Sequence, residues 1–272
     1  MINHPTLYSF PTSEKLSESL ASTIITAQDA ALKRHNTFRI AVSGGSLPQY
    51  LSSPHLTQNP SLKLDKWEVF YADERCVPNS DPESNNKAFE DKFLNLLSAD
   101  SPRPTVHKLN EDYLHEDNDP SKPLRAVEDI PTQDISDDYE QQLVRVFAAK
   151  DSVKLPIFDL LLLGCGPDGH TCSLFPGHEL LREDVAWVAP IEDSPKPPPK
   201  RITLTMPVVT HALRIVFVAA GAGKQGILKQ IFDKEEEGLP CVLVNKGAGE
   251  KVAWFCDEAA TGGVEYPVKS SL

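Results

Sequence analysis

The chain has 272 residues, is 40% hydrophobic and carries a net charge of −12, so it can bury a sizeable core in one large or two small domains. No apolar run approaches the roughly 18 residues that a membrane helix needs. No basic stripe of the kind that binds a nucleic-acid backbone is present either. Neither membranes nor nucleic acids are therefore expected as partners.

The negative charge is concentrated in one segment. Residues 111–140 contain eleven acidic and two basic residues, a net of −9, which leaves −3 for the rest of the chain. The part at about residues 111–131 has no helical or strand periodicity, which is typical of a surface loop. We predict a single domain over residues 1–272 that carries an acidic surface insertion at about 111–131, and whose remaining body can still form a cationic pocket.

The cysteines and the first residues indicate a compartment. The five cysteines are scattered, odd in number and never spaced as a Cys-x-x-Cys pair, so free thiols are expected. The chain also shows no basic stretch followed by an apolar one near Met1, as a secretory signal would. Both observations favour a cytoplasmic location.

Helical and strand patterns alternate along the chain. Apolar residues recur at helical spacing over residues 13–34, and the apolar run at 158–163 is typical of a strand buried on both faces. The other predicted strands are residues 38–42, 67–72, 185–191, 202–206, 215–220 and 251–256, and the other predicted helices are a short one ending near Leu51, then 86–97, 136–149 and 223–232. This alternation predicts a doubly wound α/β fold, with a mostly parallel sheet and helices on both faces.

Ligands of such sheets bind beyond the carboxyl ends of the strands, and four places along the chain carry suitable groups. Ser43-Gly44-Gly45-Ser46 offers backbone N–H groups, hydroxyls and a helix N-terminus to an anion, although a plain turn has the same composition. Asp73, Glu74 and Arg75 close the next strand, where charges are costly unless they are paired or used. Asp73 is a candidate for orienting a catalytic partner and Arg75 for holding an oxyanion, with a structural ion pair as the alternative.

The strongest local signal is the segment at residues 164–176. Three glycines and a proline between Gly164 and Gly169 force a tight turn after the most apolar strand. The turn places His170 at the edge of the sheet, where a side chain with an ordinary pKa of about 6.5 suits a general base. Asp168, two residues earlier, is a candidate for fixing the tautomer of His170.

Two cations complete the set of candidates. Arg201 opens the strand at 202–206, and Lys224 lies at the start of the helix at 223–232. An arginine can chelate two phosphate oxygens and a lysine adds a point charge, so both suit a phosphate pocket. A solvated surface position is the alternative for each.

Taken in this order, these segments resemble the family of 6-phosphogluconolactonases and the related glucosamine-6-phosphate isomerases/deaminases. The resemblance spans about residues 38–260 apart from the insertion, and the segment around His170 is its most specific part. It implies the hydrolysis of a small phosphorylated sugar lactone, 6-phospho-D-glucono-1,5-lactone, to 6-phosphogluconate in the pentose phosphate pathway, without a metal or cofactor.

The resemblance also implies roles for individual residues. His170 matches the general base, Asp73 and Asp168 match acidic residues near it, and Arg75 matches a substrate-binding or oxyanion-stabilising residue. The positions that match the sugar-phosphate pocket are Gly44, Gly45, Ser46, Arg201 and Lys224. The chain departs from the usual motif at Cys172, where alanine is common, and at Ser46, where threonine is frequent.

Two alternatives remain open. A glucosamine-6-phosphate deaminase-like isomerase needs a glutamate five residues after the histidine to relay protons, whereas this chain has Phe175 there. A catalytically silent interaction protein could share the fold, although every catalytic position discussed above is present. The sequence leaves the oligomeric state open, with a monomer slightly favoured.

Overall fold

The computed structural model describes residues 4–148 and 153–272. Its strands within these ranges are β1 (Thr6–Phe10), β2 (Phe38–Val42), β3 (Trp67–Tyr71), β4 (Asp73–Arg75), β5 (Thr105–Val106), β6 (Leu160–Gly164), β7 (Val188–Ile191), β8 (Arg201–Leu204), β9 (Ile215–Ala219), β10 (Val252–Asp257) and β11 (Val268–Lys269). Its α-helices are α1 (Ser13–His35), α2 (Pro48–Leu51), α3 (Pro54–Thr57), α4 (Asn85–Lys92), α5 (Thr132–Phe147), α6 (Met206–His211), α7 (Gln225–Phe232), α8 (Pro240–Ala248) and α9 (Glu258–Thr261). Strands and helices alternate through most of the chain.

Eight strands form one sheet in the order β11-β1-β10-β9-β6-β2-β3-β5, and every neighbouring pair in it is parallel. From β2 the chain moves outwards through β3 to β5. It then returns to β6 on the other side of β2 and moves outwards through β9 to β10. The loops that follow β2 and β6 therefore diverge and leave a crevice at the carboxyl edge of the sheet, where such folds bind ligands.

Side chains alternate between the two faces of the large sheet, as they must in a strand. In β6, Leu161 and Leu163 pack into one buried cluster with residues of α5 and α7, while Leu160 and Leu162 pack into the other with residues of α1. The central strand is thus covered by helices on both faces, which accounts for its uninterrupted apolar sequence. The predicted doubly wound α/β fold is confirmed.

A second, smaller sheet was not predicted. Strands β4, β8 and β7 pair in that order and are antiparallel. The predicted strands at 185–191 and 202–206 belong to this sheet, because the loop between them turns the chain directly back. The prediction from sequence also omitted β1, β4, β5, β11, α3, α6, α8 and α9, whose patterns are short or begin at a proline.

Two further boundaries differ from the prediction. Helix α5 begins at Thr132, ahead of the predicted start at residue 136, and residue 149, the predicted end, lies outside the described residues. The helix predicted at 86–97 ends at Lys92 and is followed by a 3-10 turn at Leu94–Leu96. None of the helices in the described parts of the chain combines the length and apolarity needed to span a membrane.

The acidic insertion contains more local structure than its sequence indicated. It includes 3-10 turns at Glu111–Leu114, Glu116–Asn118 and Val127–Asp129, and an antiparallel bridge joins its two limbs between His115 and Leu124. Leu114 is buried in the core. Most residues between these anchors are exposed.

Candidate active site

A pocket of about 210 Å³ opens at the carboxyl edge of the large sheet, where the loops after β2 and β6 diverge. Nine of the ten predicted site residues line it: Ser43, Gly44, Gly45, Ser46, Asp73, Arg75, His170, Arg201 and Lys224. The tenth, Asp168, is hydrogen-bonded to His170. Residues separated by more than a hundred positions in sequence therefore meet at one place.

His170 and Asp168 form a hydrogen-bonded pair. Nδ1 of His170 lies 2.5 Å from Oδ1 of Asp168, and Nε2 of His170 has no hydrogen-bond partner among the described residues. A carboxylate accepts, so Nδ1 carries the proton and Nε2 keeps a lone pair that is free to accept one. This is the tautomer that a general base on the pocket side requires.

The environment keeps His170 neutral and Asp168 ionised. Burial lowers the pKa of His170 below its ordinary value of 6.5, against the opposing hydrogen bond and charge of Asp168. Burial alone would raise the pKa of Asp168, but the hydrogen bonds from His170 and Lys196 and the charge of His170 lower it to about 2. At neutral pH the pair is thus an unprotonated imidazole oriented by a carboxylate.

The glycine-rich turn after β6 brings this pair together. The N–H of Gly166 donates to the carbonyl of His170 at 2.8 Å, and the N–H of Gly169 donates to the carbonyl of Gly166 at 3.0 Å. Gly169 has a φ of +78°, a conformation that glycine adopts at little cost. A Cβ on Gly166 would overlap Nδ1 of His170 and lie 2.6 Å from Oδ1 of Asp168. Gly166 therefore allows the turn to pack closely on His170, and Gly169 allows the chain to turn at a positive φ.

Lys196 is a site residue that the sequence analysis missed. Its Nζ lies 3.0 Å from Oδ1 of Asp168 and 3.0 Å from Nδ1 of His170. Lys196 stands in the proline-rich loop between β7 and β8, so no strand-end pattern marks it. It adds a positive charge behind the imidazole.

Asp73 is buried and tied to two elements. Its Oδ2 accepts from the Ser173 hydroxyl at 2.8 Å, and its backbone carbonyl accepts from Nδ2 of Asn85 at 2.7 Å. Asn85 also lines the pocket and lies so close to Gly44 that a Cβ there would overlap its Oδ1. Asn85 was not predicted, because only the folded chain shows its approach to Gly44.

Glu74 has a structural role, although not through the ion pair considered as the alternative for these charges. It is fully buried and accepts hydrogen bonds from the backbone N–H groups of Arg75, Asn85 and Asn86 and from the Ser84 hydroxyl. Burial raises its pKa to about 7, against these donors. The carboxyl group holds the first turn of α4 and so places Asn85 beside Asp73.

The two predicted arginines are neighbours on adjacent strands of the small sheet. Arg75 in β4 is paired with Arg201 in β8. Nη1 of Arg75 donates to the carbonyl of Glu83 and lies 3.7 Å from its carboxylate, whereas Nε of Arg75 is buried without a partner among the described residues. Burial lowers the pKa of Arg201, and the neighbouring charge of Arg75 lowers it further.

The turn after β2 presents polar groups to the pocket. The N–H of Ser43 continues the sheet by donating to the carbonyl of Leu162, while its buried hydroxyl has no partner among the described residues. Gly45 has a φ of +66°. Lys224 reaches this region from the turn after β9, and its Nζ donates to the carbonyl of Cys165 at 2.6 Å. The Ser43 hydroxyl and the Lys224 ammonium group are therefore placed to bind a polar ligand.

Four cations surround the pocket, namely Arg75, Lys196, Arg201 and Lys224, against the two carboxylates Asp73 and Asp168. This excess of positive charge contrasts with the acidity of the chain as a whole and suits an anionic ligand. Within residues 4–148 and 153–272 no group of three or more His, Cys, Asp or Glu side chains is arranged to hold a metal ion. The fold and site define an α/β protein with a hydrogen-bonded His–Asp pair in a cationic crevice.

Comparison with known proteins identifies the family. The family described as glucosamine-6-phosphate isomerases/6-phosphogluconolactonase matches residues 11–254. A protein of Schizosaccharomyces pombe named "Probable 6-phosphogluconolactonase" is 45% identical over 266 residues, which cover 98% of this chain and 97% of the relative. The 6-phosphogluconolactonase of Rattus norvegicus is 38% identical, with 95% and 93% covered. The solved 6-phosphogluconolactonase of Trypanosoma cruzi has a TM-score of 0.78 at 24% identity, with 97% and 98% covered.

The chain belongs to the glucosamine-6-phosphate isomerase/6-phosphogluconolactonase family, as the resemblance of its motifs predicted. The structural likeness supports the fold. The individual roles of the pocket residues stay predictions.

Proposed function

We propose that this chain hydrolyses 6-phospho-D-glucono-1,5-lactone to 6-phosphogluconate, with His170 as the general base. The observation that carries the proposal is the free Nε2 of His170 in a pocket lined by cations, on a chain whose full-length relatives bear the name of this activity. A lactone is an activated ester, so a base and an oxyanion site suffice for its hydrolysis.

In the first step a water molecule attacks the lactone carbonyl carbon. Nε2 of His170 accepts one proton from this water as its oxygen bonds to carbon, and the carbonyl oxygen becomes an oxyanion. Asp168 stabilises the resulting imidazolium through Nδ1. Arg75 lines the pocket and stabilises the oxyanion together with backbone N–H groups of the glycine turns.

In the second step the bond between the carbonyl carbon and the ring oxygen breaks. The ring oxygen takes the proton from Nε2 of His170, which restores the neutral base. The new carboxylic acid releases its own proton to solvent at neutral pH. No other group has to change its protonation state during the cycle.

The phosphate group is proposed to bind at the cationic end of the pocket. Lys224 supplies a charge-assisted contact, and the N–H groups and hydroxyls of residues 43–46 supply further donors. Arg201 lines the same pocket. We further propose that the reaction needs no metal and takes place in the cytoplasm, which the five free, buried cysteines support.

A coupled assay tests the proposal. Freshly generated lactone is supplied, and 6-phosphogluconate is measured through 6-phosphogluconate dehydrogenase against the spontaneous hydrolysis background. Turnover well above that background is expected and would also separate the enzyme from a silent interaction protein. A rate equal to the background would contradict the proposal.

The same preparation separates hydrolysis from sugar-phosphate isomerisation. Phe175 is buried with its ring centroid 4.7 Å from that of His170, so the position that a proton-relaying glutamate would occupy holds an apolar ring. No ammonia release from glucosamine 6-phosphate is expected. Ammonia release at a rate comparable to lactone turnover would contradict the lactonase assignment.

A further inference from the structure

The loop at residues 194–199 delivers Lys196 to the catalytic pair. The loop joins β7 to β8, and Nζ of Lys196 lies 3.0 Å from Oδ1 of Asp168. The Ser194 hydroxyl donates to the carbonyl of Lys196 at 2.9 Å, which fixes a local turn. The loop carries three consecutive prolines and so has few backbone donors of its own. The position of the loop must therefore be fixed mainly by contacts with residues outside it.

Arg201 supplies that external support. Its Nε donates to the carbonyl of Pro198 at 2.9 Å, and its Nη2 donates to the carbonyls of Lys196 at 2.8 Å and Pro197 at 3.0 Å. Its Nη1 donates to the Ser173 hydroxyl at 3.3 Å. One buried guanidinium therefore binds three successive carbonyls of the loop.

These contacts leave few N–H groups of Arg201 free to bind a ligand. A guanidinium carries five N–H groups, and four of those of Arg201 are engaged in these contacts. Bidentate binding of a phosphate needs two adjacent N–H groups, but only one remains, on Nη1. Arg201 would have to release the loop before it could chelate a phosphate.

We infer that Arg201 is a positioning residue that holds loop 194–199, and through it the Lys196 ammonium, against the His170–Asp168 pair, in place of its predicted role as a phosphate ligand. The inference rests on the proposed function. It assigns the phosphate contact to Lys224 and the turn after β2, and it makes the loop part of the catalytic machinery.

The charge on Lys196 acts directly on the base. The charged groups that face His170 are Asp168 and Asp73, which raise its pKa, and Lys196, which lowers it. The other neighbours are uncharged, namely the Phe175 ring and the Cys241 thiol near the His170 carbonyl. Loss of the Lys196 charge should therefore raise the pKa of His170. Arg201 makes no hydrogen bond to His170 among the described residues but binds the loop directly, so a change at Arg201 should reach the base through the loop.

The experiment compares Arg201→Lys, Lys196→Met and the double variant, on the phosphorylated lactone and on unphosphorylated gluconolactone. Arg201→Lys keeps the charge but removes the fork that spans three carbonyls. We expect each single variant to lose on the order of tenfold or more in kcat/KM on both substrates. The double variant should have a kcat/KM no lower than that of the more impaired single variant, because both changes act through the same contact. The acid limb of the pH profile should move to higher pH in all three.

Arg125→Lys is the matched control. Arg125 also donates to a loop, from Nε to the Tyr113 carbonyl at 3.2 Å and from Nη2 to the Asn118 side chain at 3.0 Å, but it lies in the acidic insertion. Its pH profile should equal that of the wild type. A loss at Arg201→Lys confined to the phosphorylated substrate, or an unshifted acid limb, would overturn the inference in favour of a phosphate ligand.

Two further measurements test the positioning role if Arg201→Lys does not fold or if the chain has no lactonase activity. If Arg201→Lys does not fold, Lys196→Met alone still decides, because an unmoved acid limb would show that the loop charge does not act on the base. If the chain hydrolyses neither lactone, the imidazole resonance of His170 can be titrated by NMR without turnover. An equal upward shift in Arg201→Lys and Lys196→Met would support the positioning role even where the proposed function fails, and no shift would contradict it.

Discussion

The two sheets contribute to the pocket in different ways. The large parallel sheet supplies groups from the loops after its strands, namely residues 43–46 after β2, His170 after β6 and Lys224 after β9. The small antiparallel sheet supplies groups from the strands themselves, with Asp73 and Arg75 on β4 and Arg201 on β8. The side chains on the loops are placed by glycines and turns, whereas the side chains on the strands are placed by the register of the strand pairing. His170 is held in the first way, and three of the six charged groups at the pocket, Asp73, Arg75 and Arg201, are held in the second.

The largest expected effect tests the loop side of this comparison. His170→Ala should lower kcat by roughly 10²- to 10⁴-fold, as expected for the loss of a general base, while substrate affinity changes far less. Steady-state kinetics on the phosphorylated lactone measure both. Asp73→Asn, on the strand side, should cost less. If His170→Ala kept a kcat near that of the wild type, Asp73 would become the candidate base.

A second change tests whether the loop geometry matters as much as the side chain. Gly166→Ala would place a methyl group over Nδ1 of His170 and displace the imidazole. A displacement of about 1 Å can cost on the order of 10²-fold in rate, so kcat should fall with the fold intact. Gly226→Ala, a helical glycine whose added Cβ meets no atom within 4 Å, is the control and should leave kcat unchanged. Equal rates in both variants would mean that the turn does not position the base.

A third change separates binding from chemistry. Lys224→Ala removes a charge-assisted contact worth about 1.5–3 kcal/mol, so KM for the phosphorylated lactone should rise by roughly 10- to 100-fold with kcat little changed. Unphosphorylated gluconolactone should show no comparable loss, because it offers no anion to this cation. Equal losses on both substrates would remove Lys224 from the phosphate site.

The smallest expected effect is in the pH dependence of the wild type. The base must be unprotonated, so kcat/KM falls as the pH drops through the pKa of His170. Because burial lowers that pKa, the acid limb should lie below pH 6.5. The pH profile of kcat/KM, measured over pH 5–8, locates it. A limb above pH 6.5 would mean that the charges of Asp73 and Asp168 outweigh the burial of the imidazole.

The loop-borne half of the site could be predicted from the sequence because its signals are local. An apolar strand followed by glycines and a histidine points to a strand end, and the structure places residues 43–46 and His170 there. The roles of Lys196 and Asn85 could not be predicted, because they depend on contacts between distant segments. Lys196 contacts Asp168 from a loop whose carbonyls Arg201 binds, and Asn85 contacts Asp73 from a helix start that Glu74 binds.

In the fold, too, the elements with a local sequence signal were predicted and those that depend on distant pairing were not. The strands of the parallel sheet with long apolar runs were predicted within a residue or two, as for β2 and β9. The small sheet was not predicted, since β4 is only three residues long and the sheet depends on the pairing of residues 73–75 with 201–203. Short strands carry too few residues for a periodicity to be read.

The place of β1 in the sheet has a consequence for how the protein is made. Its residues Thr6–Phe10 lie between β10 and β11, with Thr6 beside Ala253 and Leu7 beside Val268. Both edges of this strand must therefore stay unpaired on the ribosome until almost the whole chain behind it has been translated. During that time β1 is an exposed apolar strand edge, the kind of surface that aggregates or recruits chaperones. Release of the segment that carries β10 should accordingly mark the point at which the nascent chain becomes resistant to proteolysis.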